Sequence, residues 1–391
     1  MSAENTGRRG RGDNDNTVVD NTDMVSHALE DVNQDSNFVT TTREFVDIAN
    51  KERLSSPPAQ ENETNCVSII RESLKNKGFS ESATNIILSS WRPGSKAQYD
   101  TYIKRWILFS TERKINPISP PLEQGIEFLT QLYNQGLGYS AINTARSALS
   151  AILLPENNVV FGENPYVKRF LKGVFQTRPS LPRYTKVWDV SLVIKFLSTL
   201  TPIERLSLKD LSYKLVMLIS LVTAQRGQTM QLLNIGSMLE EPTAFIFPLD
   251  EHVKQAKPGM KGQIIKLQAF PNKDLCVFTT CKEYLARTKD LRGNETRLIL
   301  TFAKPHKPAS RDTIRRWIRN VMQLSGIDVS VFKAHSTRAA STSKAKINNV
   351  PIEDILKTAG WKSNSTFARH YNLPITGTDN KFVNNILSII D

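Results

Sequence analysis

The sequence predicts a mainly α-helical protein with one small antiparallel β-sheet, preceded by a long polar segment. Three observations carry this. From Ser95 onward, apolar residues recur at helical spacing over most of the chain. Strand-like runs are confined to two short stretches, 244–249 and 263–270. Residues 1 to about 80 are rich in Asn, Asp, Ser, Thr and Glu, with too few large apolar side chains to offset the entropy of ordering. At 391 residues there is room for two folded domains beside that tail. The expected division is a disordered tail over 1–82, a helical domain over 83–178, a linker over 179–187 and a second domain over 188–391.

In the tail, Arg8-Arg9-Gly10-Arg11-Gly12 is a basic run suited to nucleic acid or targeting, with plain solvation the blander reading. Ser95 is an acceptable N-cap, after which Tyr99, Tyr102, Ile103, Trp106 and Phe109 share one stripe. Pro120-Pro121 opens a second helix with Ile126, Phe128, Leu129 and Leu132, closed by Gly136 and Gly138. Ser140 reads as the cap of a third, which buries Ile142, Ala145, Leu149, Ile152 and Leu153. Its other face carries Asn143, Arg146, Ser147 and Ser150, small polar groups and an Arg that suit DNA or solvent. A basic helix near 166–175 presents Lys168, Arg169 and Lys172. The stretch 177–186 has two prolines and no periodicity, an extended linker whose three basic residues can track a phosphate backbone.

Asp189 caps a helix over 192–200, and another covers 208–221, leading into 223–233. The loop between the two strands holds Lys254, Lys257, Pro258 and Gly259. Helices resume at 277–287 and 311–324. The latter buries Ile314, Trp317, Ile318, Val321 and Met322 and carries Arg315, Arg316 and Arg319 on its flank. Two more lie near 336–347 and 351–359. The last twenty residues form a short amphipathic helix through Phe382, Val383, Ile386, Leu387 and Ile390.

The formal net charge of +13 is unevenly spread. Residues 1–84 hold nine Lys+Arg against fifteen Asp+Glu, which leaves +19 on the remainder. A folded body that basic attracts polyanions and binds them in a salt-dependent way. The N-terminus does not read as a secretory leader, and no apolar run is long enough to span a bilayer. Cys66, Cys276 and Cys281 are odd in number and lack metal-site spacing, which fits a reducing compartment without a disulfide framework.

The chemistry concentrates in the second domain. His335-Ser-Thr-Arg338 opens a helix, so His335 and Arg338 project from one side. Gly360-Trp361 ends the next helix with glycine in the C-cap position, and Tyr371 follows ten residues after Trp361. Arg226 interrupts a largely apolar region, where a buried guanidinium needs an anionic partner. Each feature alone is ordinary: a capping His with a surface Arg, core and surface aromatics.

Taken in order, Arg226, Lys254, His335-x-x-Arg338, Gly360-Trp361 and Tyr371 resemble the tyrosine recombinase, or phage-integrase-like, family over about 85–391. The phrasing AHSTRAASTSKA and ILKTAGWKSNSTFARHY is most similar to DIRS-like retroelement recombinases. The resemblance implies a SAM-like helical core-binding domain followed by an α+β catalytic domain. It implies DNA cleavage and rejoining through a 3′-phosphotyrosine at Tyr371, without metal or cofactor. Arg226 and Arg338 would clamp the phosphate, because a guanidinium fork matches two oxygens. Lys254, or its rival Lys257 in the same loop, would protonate the leaving 5′-oxygen. His335 would assist proton transfer at the nucleophile, and Trp361 would donate its indole N–H. The family commonly places the tyrosine nine residues after its His or Trp. The gap of ten here is a 100° swing on a helix, which a loop must absorb. His370, beside the tyrosine, is expected to face solvent.

The implied partners are double-stranded DNA and further copies of the chain, a tetramer on DNA, with the C-terminal helix docking on a neighbour or on its own domain. No membrane is involved. The implied setting is a mobile element in a nucleus. A catalytically inactive, domesticated DNA-binding protein of the same descent is the alternative, and a monomeric topoisomerase is less favoured.

Overall fold

The computed structural model describes residues 66–182, 184–249, 262–361 and 363–376. The chain divides into two compact units, with the boundary between Leu181 and Pro182. Among the described residues the architecture is mostly helical with one three-stranded antiparallel sheet, the fold class the periodicity predicts. No described helix is long and apolar enough to cross a membrane.

The first unit holds α1 (Cys66–Asn76), α2 (Glu81–Ser89), α3 (Pro93–Glu112), α4 (Leu122–Asn134), α5 (Tyr139–Ile152) and α6 (Pro165–Thr177). Its core gathers Ile103, Trp106, Phe109, Phe128, Leu129, Leu132, Ile142 and Leu149. Trp106 stacks on Phe109 and meets Phe128 edge-on, and its indole N–H donates to the Pro117 carbonyl at 2.8 Å. Helix α1 corrects the expectation of disorder through residue 82. Ile70 is buried in this core, Leu74 packs against it, and the buried Ser73 hydroxyl donates to the Ile152 carbonyl. A few apolar residues suffice when a preformed surface receives them. Residues 1–65, including the basic run at 8–12, lie outside the described residues.

Two caps also differ from expectation. Helix α3 starts at Pro93, with Arg92 in the cap position and Ser95 already inside the first turn, as a proline at N1 permits. Helix α5 starts at Tyr139 with Gly138 as its cap, not Ser140.

The polar face of α5 is the larger correction. Asn143 is buried, and Arg146, Ser147 and Ser150 are half-buried. Arg146 donates from Nε and Nη2 to Asn143 Oδ1 at 3.2 and 2.8 Å. The short 3₁₀ turn Phe161–Glu163 closes over it. A Cβ at Gly162 would lie 2.6 Å from Arg146 Nη1 and 2.5 Å from Ser150 Oγ, so only glycine fits this approach. Burial pulls the Arg146 guanidinium below its ordinary pKa, opposed by the nearby Glu163 carboxylate. This face is partly covered within the unit. The exposed basic residues nearby are Lys168, Arg169 and Lys172, on the open side of α6.

The linker expectation is amended in the same way. Arg178 donates to the carbonyls of Tyr133 and Leu137 and stacks 3.7 Å over the Tyr133 ring, so it anchors α4 to the end of α6. Arg183 lies outside the described residues, and Lys186 is exposed.

The second unit comprises α7 (Val190–Thr199), α8 (Leu208–Thr223), α9 (Gly227–Gln231), β1 (Leu239–Glu241), β2 (Ala244–Pro248), β3 (Ile264–Gln268), α10 (Val277–Thr288), α11 (Arg311–Leu324), α12 (Ser336–Ile347), α13 (Ile352–Ala359) and α14 (Asn364–His370). Asp189 caps α7, its carboxylate accepting from the Ser191 N–H at 3.0 Å. Helix α8 is the spine: it is buried on nearly all sides and packs on α10, α11, α12 and β3. It ends at Ala224, whose backbone is left-handed (φ 48°). The sheet runs β1-β2-β3, with Leu239 opposite Ile246 and Ile246 opposite Lys266. Phe245 and Phe247 of β2 and Ile265 and Leu267 of β3 turn inward. The loop 250–261, with Lys254 and Lys257, and residues 377–391, with the amphipathic pattern from Phe382 to Ile390, lie outside the described residues.

Candidate active site

Four of the six expected site residues converge in the second unit. Helix α12 begins at Ser336, and His335 immediately precedes it. Arg338, one turn in, is only 2% exposed. Helix α13 ends at Gly360 with φ 69° and ψ 33°, the left-handed cap that glycine adopts without strain. That reversal delivers Trp361, whose N–H bonds back to the Leu356 carbonyl at 2.8 Å. Helix α14 then runs to His370 and releases Tyr371 in a non-helical conformation (φ −130°, ψ −15°). The break after Gly360 and the exit at Tyr371 accommodate the ten-residue gap.

Tyr371 is the meeting point. Its hydroxyl lies 3.3 Å from His335 Nε2. Its ring packs on Trp361 with centroids 4.3 Å apart and planes tilted by 33°. The Arg338 guanidinium sits 4.4 Å over the Trp361 ring and 5.4 Å from the Tyr371 ring centroid, cation–π distances for a desolvated charge. Arg338 Nη2 also donates to the Ala359 carbonyl at 2.7 Å, which ties α12 to the end of α13. Trp361 Nε1 is buried with no hydrogen-bond partner among the described residues, an arrangement that costs free energy unless an acceptor arrives.

Arg226 stands in the cap position of α9, half-buried, just beyond the left-handed Ala224. The structure reaches the cluster from here through its neighbour: Gln225 Nε2 donates to the Thr358 carbonyl of α13 at 2.8 Å. Lys254 and Lys257 lie outside the described residues. His370 is half-buried, its ring centroid 6.5 Å from that of Tyr371, rather than directed fully to solvent.

Sequence reasoning missed three residues that shape the cluster. The buried Ser343 hydroxyl donates to the Tyr371 carbonyl at 2.6 Å and accepts from the Leu373 N–H at 3.1 Å. The run of small hydroxyls after Arg338 was the only hint of it. Gln225 adjoins Arg226 but looks like an ordinary amide in sequence. The third is Trp188, whose indole N–H donates to Ser336 Oγ, 148 positions further along the chain, at 2.9 Å.

Residues 193–374, all within the second unit, match the phage integrase family. Among curated proteins, none matches the sequence. Among solved structures, the chain is similar to XerH site-specific recombinase bound to palindromic difH substrate in a post-cleavage complex. That match has 18% identity over 82% of this chain and 88% of that one, with a TM-score of 0.52. It is also similar to the Tn1549 transposon integrase in complex with transposon right end DNA, at 12% identity, 83% and 100% coverage and a TM-score of 0.49. A lambda integrase dimer bound to a COC′ core site follows at 16% identity, 83% and 84% coverage and a TM-score of 0.46. The first of these likenesses establishes a shared fold.

Proposed function

We propose that this chain is a tyrosine recombinase that breaks and rejoins duplex DNA through Tyr371. The observation that carries the reading is the convergence of His335, Arg338 and Trp361 on the Tyr371 side chain. The match of residues 193–374 to the phage integrase family supports it.

In the proposed reaction the Tyr371 oxygen attacks phosphorus, and a 3′-phosphotyrosine bond forms as the bond to the 5′-oxygen breaks. The phenolic proton passes to His335, and Lys254 supplies a proton to the departing 5′-oxygen. Arg338 and Arg226 balance charge on the non-bridging oxygens, and the indole N–H of Trp361, which has no acceptor among the described residues, gains one. Because the phosphodiester energy is kept in the covalent link, rejoining is the same path reversed. Tyr371 is only 2% exposed, so DNA must open the aromatic packing around it before attack.

The substrate is duplex DNA held by the basic body of the protein, the assembly a tetramer of this chain, and the setting the movement of a DIRS-like element in a nucleus. Incubation with a nicked suicide duplex should give an SDS-resistant protein–DNA adduct, absent in Tyr371→Phe. Specific DNA binding without any adduct in the wild type would instead identify a DNA-binding protein that has lost catalysis.

A further inference from the structure

The opening segment of the second unit makes contacts that the proposed chemistry does not use. Within five residues, three side chains or backbone groups grip the two parts of the candidate site. The Tyr184 hydroxyl accepts from the Lys333 N–H at 3.1 Å, and its ring lies against Phe332, 5.6 Å between centroids. Trp188, 2% exposed, donates to Ser336 Oγ, and that hydroxyl in turn donates to the Lys333 carbonyl at 2.7 Å. These bonds bracket His335 on both sides. Between them, Val187 pairs in parallel with Ile375: its N–H donates to the Pro374 carbonyl, and its carbonyl accepts from the Thr376 N–H, both at 2.8 Å. That pairing fixes the chain three to five residues beyond Tyr371.

We propose that Tyr184, Val187 and Trp188 form a positioning strap that sets His335 against the Tyr371 hydroxyl. The argument is geometric. The His335–Tyr371 contact is 3.3 Å, at the long end of hydrogen-bond range, so a shift of half an ångström in either partner breaks it. His335 stands in the cap position of α12, where the helix gives it the least support, and Tyr371 stands just past the end of α14. Both are terminal positions, and one short strand ties down the chain beside each. Trp188 and Ser336 have no reason in sequence to be coupled, yet both are buried and bonded to each other. They act through His335 and do not touch the reacting phosphate, so they are positioning residues.

The proposal rests on the recombinase reading, and its test separates the two. Trp188→Phe keeps an aromatic ring but removes the N–H with part of the fused ring system, and Ser336→Ala removes the acceptor. On the full chain, single-turnover cleavage of a suicide duplex at saturating DNA should fall about tenfold in each variant. DNA affinity should stay near wild type, and the melting temperature should fall only modestly, as loss of one buried bond and some ring packing requires. The double variant should lose no more than Ser336→Ala alone, because that change already removes the bond to Trp188 along with the one to the Lys333 carbonyl. Wild-type cleavage in both variants, or losses that multiply in the double, would overturn the strap.

A second readout does not need activity. The His335 ring resonances, followed by NMR in the same full-length variants, should move while those of His306, which bonds to the Thr301 carbonyl elsewhere in the unit, stay in place. If wild type forms no adduct but the His335 signals respond, the recombinase reading fails and the strap stands. Unmoved His335 signals sink the strap whatever the cleavage assay gives.

Discussion

Two arginines, Arg146 in the first unit and Arg338 in the second, occupy similar places in sequence and different ones in physics. Each sits on a helix among small polar residues, and each is withdrawn from water. Arg146 spends two of its donors on the amide of Asn143, one turn away on its own helix, and a glycine turn seals it in. Arg338 instead spans elements: it reaches the end of α13 and lies across the faces of Trp361 and Tyr371. A half-buried guanidinium bonded to its own helix serves packing. One aimed over a phenol whose hydroxyl meets a histidine suits the chemistry proposed for Tyr371.

The comparison can be broken or sharpened by substitution. Arg338→Ala should lower the covalent cleavage rate by about 10³ at saturating DNA, the loss typical of a charge-stabilising donor. Arg338→Lys should recover only a small part of it, because an ammonium cannot fork two oxygens. Near-wild-type adduct formation in Arg338→Ala would remove the contrast altogether. Arg146→Ala should leave cleavage per bound molecule unchanged while costing about 1–3 kcal/mol of stability, since it strips the buried Asn143 amide of its partner. Chemical denaturation with a parallel cleavage assay checks both halves. A cleavage defect at full stability would return Arg146 to the DNA.

Gly162→Ala probes the seal over Arg146 directly. Its Cβ would crowd both Arg146 and Ser150, at a cost of about 1–3 kcal/mol in thermal or denaturant unfolding. Trp361→Phe keeps a ring beneath Arg338 but deletes the indole N–H. Roughly tenfold slower cleavage, with stability equal or slightly higher because an unsatisfied donor is gone, separates catalysis from packing. The smallest effect is expected at Asp189. Its carboxyl is held below the usual carboxylate range, chiefly by the Ser191 backbone N–H, so the cap contributes fully above the unfolded pKa. That contribution fades as pH falls through the depressed folded value. Asp189→Asn should therefore flatten stability at the acid end and leave it nearly unchanged at neutral pH.

The same contrast shows what was legible in sequence. Helix α11 was readable to the residue because Ile314, Trp317, Ile318, Val321 and Met322 follow the helical period and all are buried. His335, Arg338, Trp361 and Tyr371 were readable as an ordered set, and the fold brings them together. Strand β1 left no signal because all three of its residues are exposed and nothing alternates. The polar face of α5 misled because its burial comes from Phe161–Glu163, eleven or more residues after Ser150, and periodicity reports only on the helix itself. Helix α1 was hidden by its polar surroundings. Trp188 was invisible for a plainer reason: a 148-residue separation carries no local pattern.

The parallel bridge between Val187 and Ile375 has a mechanical consequence. The chain enters the second unit a few residues before Val187, and Ile375 follows Tyr371 by four residues. Tension applied at Pro182 and Thr376 would pull two parallel segments lengthwise past each other. It would load the Val187–Pro374 and Thr376–Val187 bonds together, in shear, instead of unzipping them singly. The start of the second unit is in this sense latched to the segment just after Tyr371, and the first thing lost on shearing that latch would be the registration of Tyr371.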